Sequence, residues 1–216
     1  MGHFKEGGKL NSGYEEVLKS IGSSDPTPGG GSVAALSLAH AHSLALMVAR
    51  LTVGKEKWSD GHEDAEQVIL DSTDGVNNAI RLAQLDAEAF DSVMSAYRMA
   101  KDSINEKKYR SSAIREATIG AAKAPLDTAF SALSLLSSLE RLCVSCNSNA
   151  LTDVASAAEL CLSSVKIASF NVKINLDFVE GEDAENISSQ LNQVILDSKN
   201  TSRNISLKIN ERLNWK

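Results

Sequence analysis

Apolar residues recur along this chain at intervals of three and four, the period of an α-helix, and do not alternate with polar ones as a half-buried strand requires. Tyr14, Val17, Leu18 and Ile21 share one face of a short first helix, with Ser12 as its cap. The stretch at about 32–53, SVAALSLAHAHSLALMVARLTV, is apolar on nearly every side. It predicts a central, buried helix whose Ala and Ser residues let neighbours approach closely, stopped by Gly54. A third helix over about 62–101 carries the seam Val76, Ala79, Ala83, Asp86, Phe90, Val93 and Tyr97. A fourth covers about 106–141, with a kink or a break expected at Pro125. The fifth, about 149–176, has the seam Leu151, Val154, Ala158, Cys161, Val165, Ala168, Val172 and Asn175. The last opens at 181–185, GEDAE, with acidic residues where the helix dipole favours them. It is mostly polar apart from Ile187, Leu191, Val194, Ile205 and Ile209, which suits an outer position.

The pattern therefore predicts an all-α fold: a bundle of about six helices, several long, packed around a small-residue central helix. Residues 1–12 read as a flexible leader and 13–216 as one helical domain, without internal repeat or linker. Composition agrees. Only three prolines occur, and about 90 residues on either side of Pro125 lack one.

Charge and cysteines narrow the function. The net charge of −6 argues against a nucleic-acid partner and against a polybasic membrane anchor. Cys143, Cys146 and Cys161 are too few for a disulfide framework and suit a reducing cytosol. No apolar run reaches membrane-spanning length, and the opening residues lack the long apolar stretch of a signal peptide. Together these predict a cytoplasmic protein.

Few residues carry chemistry. Asp86 stands on a seam of apolar and aromatic neighbours. A carboxylate there is costly unless paired, hydrogen-bonded or protonated, and such a group tends toward a raised pKa suited to acid–base work. A solvated edge residue and a structural ion pair are the alternatives. The loop DPTPGGGS at 25–32 places three glycines ahead of a helix N-terminus. Their exposed N–H groups can hold an oxyanion, carboxylate or carbonyl, or the loop is simply a tight turn for close packing. His40 and His42 are two apart and cannot chelate one metal from a helix; with His3 and His62 they read as structural or exposed. Cys143 and Cys146 form a C-x-x-C, read as coincidence because a structural zinc needs four ligands. Arg98, Lys101, Lys107, Lys108 and Arg110 make a basic stretch that either is solvated or meets an acidic ligand tail.

DPTPGGGSVAA at 25–35, T-x-G at 52–54, DAEAF at 86–90, Pro125 followed by Leu126, SNALTDVASAA at 148–158 and FNVKINL at 170–176 together resemble the cyclodeaminase/cyclohydrolase family. That family includes the C-terminal domain of formimidoyltransferase-cyclodeaminase and stand-alone methenyltetrahydrofolate cyclohydrolases. The resemblance implies an all-helical homodimer with a folate pocket near the subunit contact. It implies closure of 5-formiminotetrahydrofolate to 5,10-methenyltetrahydrofolate with loss of ammonia, or hydrolysis of the methenyl form to 10-formyltetrahydrofolate. The catalytic aspartate maps to Asp86. Pro28, Gly29, Gly30, Gly31 and Ser32 would hold the substrate, with Asn149 and Asp153 as further binding residues. Arg98, Lys101 and Arg110 would meet the glutamate tail of a folate, polyglutamated or not. No metal or other cofactor is implied. Ala41, Ala100 and Gln84 depart from the family's usual Gly, Pro and acidic residue, which leaves the choice between the two reactions open. A non-catalytic folate-binding or scaffold helical dimer is the alternative function.

Overall fold

Small side chains decide the centre of the molecule. Gly30–Thr52 forms helix α2, in which Ala34, Ala35, Ala41, Ala45, Val48 and Ala49 are wholly covered. Three helices can press on it because these residues are short: α3 (His62–Tyr97), α4 (Ile104–Ser145) and α5 (Leu151–Leu176). The computed structural model describes residues 12–215, so the predicted leader lies almost wholly outside the described residues. Ser12 opens the short α1 (Ser12–Ile21), but its side chain, predicted as a cap, is not among those described. α6 (Glu182–Leu213) packs against α4 and α5 with Ile187, Leu191, Val194, Ile205 and Ile209 and turns a polar face outward. Two short 3₁₀ turns, at Glu56–Gly61 and Ser148–Ala150, complete an all-α fold with no strand among the described residues.

Three expectations need correcting. α2 is 23 residues long, and its most apolar stretch has a mean hydropathy of 1.5, enough by length and composition to cross a bilayer. More than half of that stretch is buried against the other helices, so its hydropathy reflects a core position. α4 does not break at Pro125; helical backbone runs unbroken from Ile104 to Ser145 with Pro125 buried inside it. α3 stops at Tyr97 rather than near 101, because Arg110 reaches back from α4 and donates from Nε and Nη2 to the terminal Tyr97 carbonyl, at 3.2 and 3.0 Å.

The helix ends are tied individually. α4 opens with a capping box: Ser103 Oγ accepts from the Glu106 amide, and the Glu106 carboxylate accepts from the Ser103 amide at 2.7 Å. At the other end Arg212 of α6 donates to the carbonyls of Cys143 and Cys146, at 2.9 and 2.7 Å. α6 itself starts beyond Gly181, whose φ of 102° suits glycine.

Candidate active site

The N-terminus of α2 and the middle of α3 meet without a gap. A Cβ on Gly31 would overlap the Asp86 carboxylate, so glycine is the residue that lets α3 bring an acid this close to α2. The cap position Gly29 has no side chain to satisfy the first amides of α2. Asp86 does this from the neighbouring helix, accepting from the Ser32 backbone amide and from Ser32 Oγ at 3.1 Å. The Ser32 hydroxyl, almost fully buried, also reaches the Ala83 carbonyl at 2.9 Å, which ties α2 to α3 one turn below the acid.

Asp86 opens onto a cavity of about 450 Å³, within the usual range for a small-molecule site. Its walls are Phe90, Val93 and Tyr97 of α3, Thr118 and Ala121 of α4, Asn171, Ile174, Asn175 and Phe178 of α5 and the following turn, and the glycine loop from Pro26 to Gly31. Asp86 is the only Asp, Glu, Lys, Arg or His side chain among these lining residues. Loss of solvent raises its pKa above the ordinary carboxylate value, and the two bonds from Ser32 only partly offset this. An acid with apolar walls, a raised pKa and fixed donors behind it can exchange a proton with a bound ligand and attract a cationic one.

The sequence profile described as formiminotransferase-cyclodeaminase matches residues 13–193. The chain belongs to this family. It is 34% identical over 166 residues to the methenyltetrahydrofolate cyclohydrolase of Methylorubrum extorquens, covering 76% of this chain and 79% of that one. It is 29% identical over 189 residues to the formimidoyltransferase-cyclodeaminase of Sus scrofa, covering 85% of this chain but only 35% of that longer protein. Among solved structures, the formiminotetrahydrofolate cyclodeaminase of Thermotoga maritima superposes with a TM-score of 0.82 at 27% identity, covering 95% of this chain and 98% of that one.

Within this family member the predicted residues fall into groups. Asp86, Gly29, Gly30 and Gly31 line the cavity, Ser32 stands behind the acid, and Pro28 shapes the loop without lining it. Arg110 stacks on the Tyr97 ring at 5.5 Å and so stands at the cavity's edge, with Arg98 and Lys101 exposed in the turn beyond. Asn149 and Asp153 are not brought to this cavity by their own chain. Asn149 lies in the 3₁₀ turn before α5 and Asp153 in the first turn of α5, and the helical rise over the 18 residues from Asp153 to Asn171 is about 27 Å.

Asn171, Asn175 and Thr118 were not predicted as site residues. Asn175 had a signal of the kind that marked Asp86, a polar group closing an otherwise apolar helix seam. The other singled-out groups lie elsewhere. His42 is buried and shares a hydrogen bond with Ser72 Oγ at 3.0 Å, and burial lowers its pKa to about 4. His40 is exposed and bonds Tyr14 of α1 and the Leu36 carbonyl. Cys143, Cys146 and Cys161 are buried, reduced and pushed up in pKa, Cys143 to about 11. None of them lines the cavity.

Proposed function

We propose that this protein acts on the one-carbon unit bridging N5 and N10 of tetrahydrofolate, as a methenyltetrahydrofolate cyclohydrolase. The observation that carries the reading is Asp86: a half-buried acid, held by Ser32, in an apolar cavity of ligand size. The M. extorquens relative, matched over most of both chains, supports the hydrolytic reaction.

The bridge carbon of the methenyl substrate carries positive charge. Ionised Asp86 attracts that cation in a site where apolar walls weaken screening. A water adds to the bridge carbon, and Asp86 accepts its proton. The protonated acid then delivers a proton to N5 as the carbon–N5 bond breaks and the formyl carbonyl forms on N10. One of the water's protons ends on N5 and the other in solvent. The step is redox-neutral and balances with water alone, so the proposal invokes no cofactor. The glycine loop would grip the substrate through its amides, and Arg98, Lys101 and Arg110 would meet its glutamate tail. The reading includes a homodimer in the cytoplasm, in keeping with the exposed Phe170, Ile174 and Phe178 along α5 and the turn after it, and with the reduced cysteines.

A second reading, cyclodeaminase, draws on the T. maritima structure, which this chain matches almost end to end. There N10 attacks the carbon of the protonated formimino group, Asp86 carries the N10 proton to the former imino nitrogen, and that nitrogen leaves as ammonia with the methenyl cation formed.

The deciding assay follows the absorbance of 5,10-methenyltetrahydrofolate with wild-type protein and with Asp86→Asn. The expected result is rapid loss with wild type and a fall of about 10²–10⁴-fold in the variant. No loss here, with ammonia release from 5-formiminotetrahydrofolate, would move the assignment to the second reading. Neither reaction, with tetrahydrofolate still bound, would leave a non-catalytic folate-binding dimer. Full activity in Asp86→Asn would sink the role given to the acid.

A further inference from the structure

Pro125 sits in the middle of an unbroken helix, where it leaves a backbone group unpaired. Proline has no N–H, so the carbonyl four residues earlier, that of Ala121, loses its helical partner. Asn175 of α5 supplies a replacement: its Nδ2 donates to the Ala121 carbonyl at 3.0 Å and to the Asn171 carbonyl at 2.8 Å. Both amide hydrogens of Asn175 are thereby committed, and the opposite flip would set its oxygen against two carbonyl oxygens. Ala121 and Asn175 both line the cavity that holds Asp86. Among the described residues Asn175 Oδ1 accepts no hydrogen bond, and Ser198 Oγ is the only fully buried side-chain polar atom without a partner. Oδ1 is therefore not sealed in the core, and it belongs to a residue that lines the cavity, as an acceptor whose orientation is fixed.

We propose that Asn175 is a substrate-recognition residue, its Oδ1 accepting a hydrogen bond from a ring N–H of the substrate, and that Pro125 is the positioning residue that sets it through the Ala121 carbonyl. The idea rests on the folate reading, in which the reduced pterin presents N–H donors along its aminopyrimidinone edge and at N8. An acceptor that cannot turn into a donor selects such an edge over one carrying a lone pair at that point. The same arrangement gives a buried proline inside a long helix a function: it frees one carbonyl at the one place where a side chain from α5 uses it.

The test separates this from a purely structural bond. Asn175→Ala removes the acceptor and also strands the Ala121 carbonyl. The double variant Pro125→Ala/Asn175→Ala restores a backbone N–H to that carbonyl while leaving the acceptor absent. KM and kcat with 5,10-methenyltetrahydrofolate, or 5-formiminotetrahydrofolate if that is the substrate turned over, are measured beside the melting temperature. The single variant is expected to melt lower and to show KM raised about tenfold, with kcat changed much less, the size of one lost hydrogen bond. The double variant is expected to recover melting temperature while KM stays high. KM returning to the wild-type value in the double variant would overturn the proposal and make Asn175 a structural residue. An unchanged KM in Asn175→Ala would overturn it too, with the folate reading intact. If Asn175→Ala does not fold, the double variant alone decides by the same KM criterion. Wild-type protein that neither binds tetrahydrofolate nor turns over either substrate would remove the folate reading, and this proposal with it, before any variant is compared.

Discussion

The α2–α3 interface uses the same device twice, with opposite results. At one end glycine lies on α2 and the titratable group on α3: Gly31 makes room for Asp86. Three turns along the roles reverse, and Gly75 of α3 makes room for His42 of α2. In both places a missing Cβ lets a polar side chain press against a neighbouring backbone. Desolvation favours the neutral form in both, raising the Asp86 pKa and lowering that of His42 to about 4. The difference is access. His42 is 7% exposed and spends its Nδ1 on Ser72, whereas Asp86 opens onto a cavity. A perturbed pKa alone therefore does not mark a functional group; a perturbed pKa facing a ligand-sized space does.

The comparison breaks most sharply at Gly31. The α2 backbone there cannot retreat, because Ser32, Ala34 and Ala35 behind it are buried. In Gly31→Ala the Asp86 side chain must turn away, and turnover should fall by at least about a hundredfold, close to the loss in Asp86→Asn. Circular dichroism should still report a helical protein. Near-normal turnover would show that the acid works without its seat on Gly31.

Gly75→Ala attacks the mirror position, where the new methyl meets the buried His42 ring. Overpacking of this kind costs about 1–3 kcal/mol, against about 1 kcal/mol regained from helix propensity. The melting temperature should drop while turnover per folded molecule stays at the wild-type level. A loss of kcat at unchanged stability would mean that the two ends of the interface are coupled rather than independent.

Acid separates the two groups through stability. The folded-state pKa of His42 lies below its unfolded value of 6.5, so the unfolded chain binds more protons between that value and about 4. Its contribution is complete above 6.5 and is lost as pH falls through that window. Asp86 has the reverse sign: its raised pKa makes the ionised form a burden on folding that protonation relieves. Urea denaturation should thus show stability falling below about pH 6.5, and Asp86→Asn should be more stable than wild type at neutral pH. An Asp86→Asn protein less stable at neutral pH would reverse the sign argued here.

Much of this was legible beforehand. The six helices follow from spacing alone, because apolar seams at three and four residues leave little choice of period. Asp86 stood out as an acid on such a seam, and the upper half of that seam, Phe90, Val93 and Tyr97, proved to line a cavity rather than fill a core. Periodicity cannot make that distinction, since a side chain facing a cavity and one facing the core show the same spacing. The continuity of α4 through Pro125 was hidden for a related reason. The orphaned carbonyl is satisfied by Asn175, 54 residues away in sequence, and no local rule contains that partner. Asn149 and Asp153 came from motif resemblance, which says nothing of the distance along α5 that separates them from the cavity in one chain.

The smallest change sharpens the comparison from within the site. Ser32 offers Asp86 a backbone amide and a hydroxyl, and both favour the ionised acid. Ser32→Ala keeps the amide and removes the hydroxyl, so the Asp86 pKa should rise further. If the ionised acid is the working base, activity rises with pH as Asp86 deprotonates, and the variant's acidic limb must move to higher pH. Above that limb Asp86 is ionised in both proteins and still holds one donor, so the plateau should stay close to the wild-type value. A pH–rate profile of kcat/KM for the two proteins reads the shift directly. A limb moving to lower pH would mean that the hydroxyl stabilises the protonated acid, and an unmoved limb would assign it to a group other than Asp86.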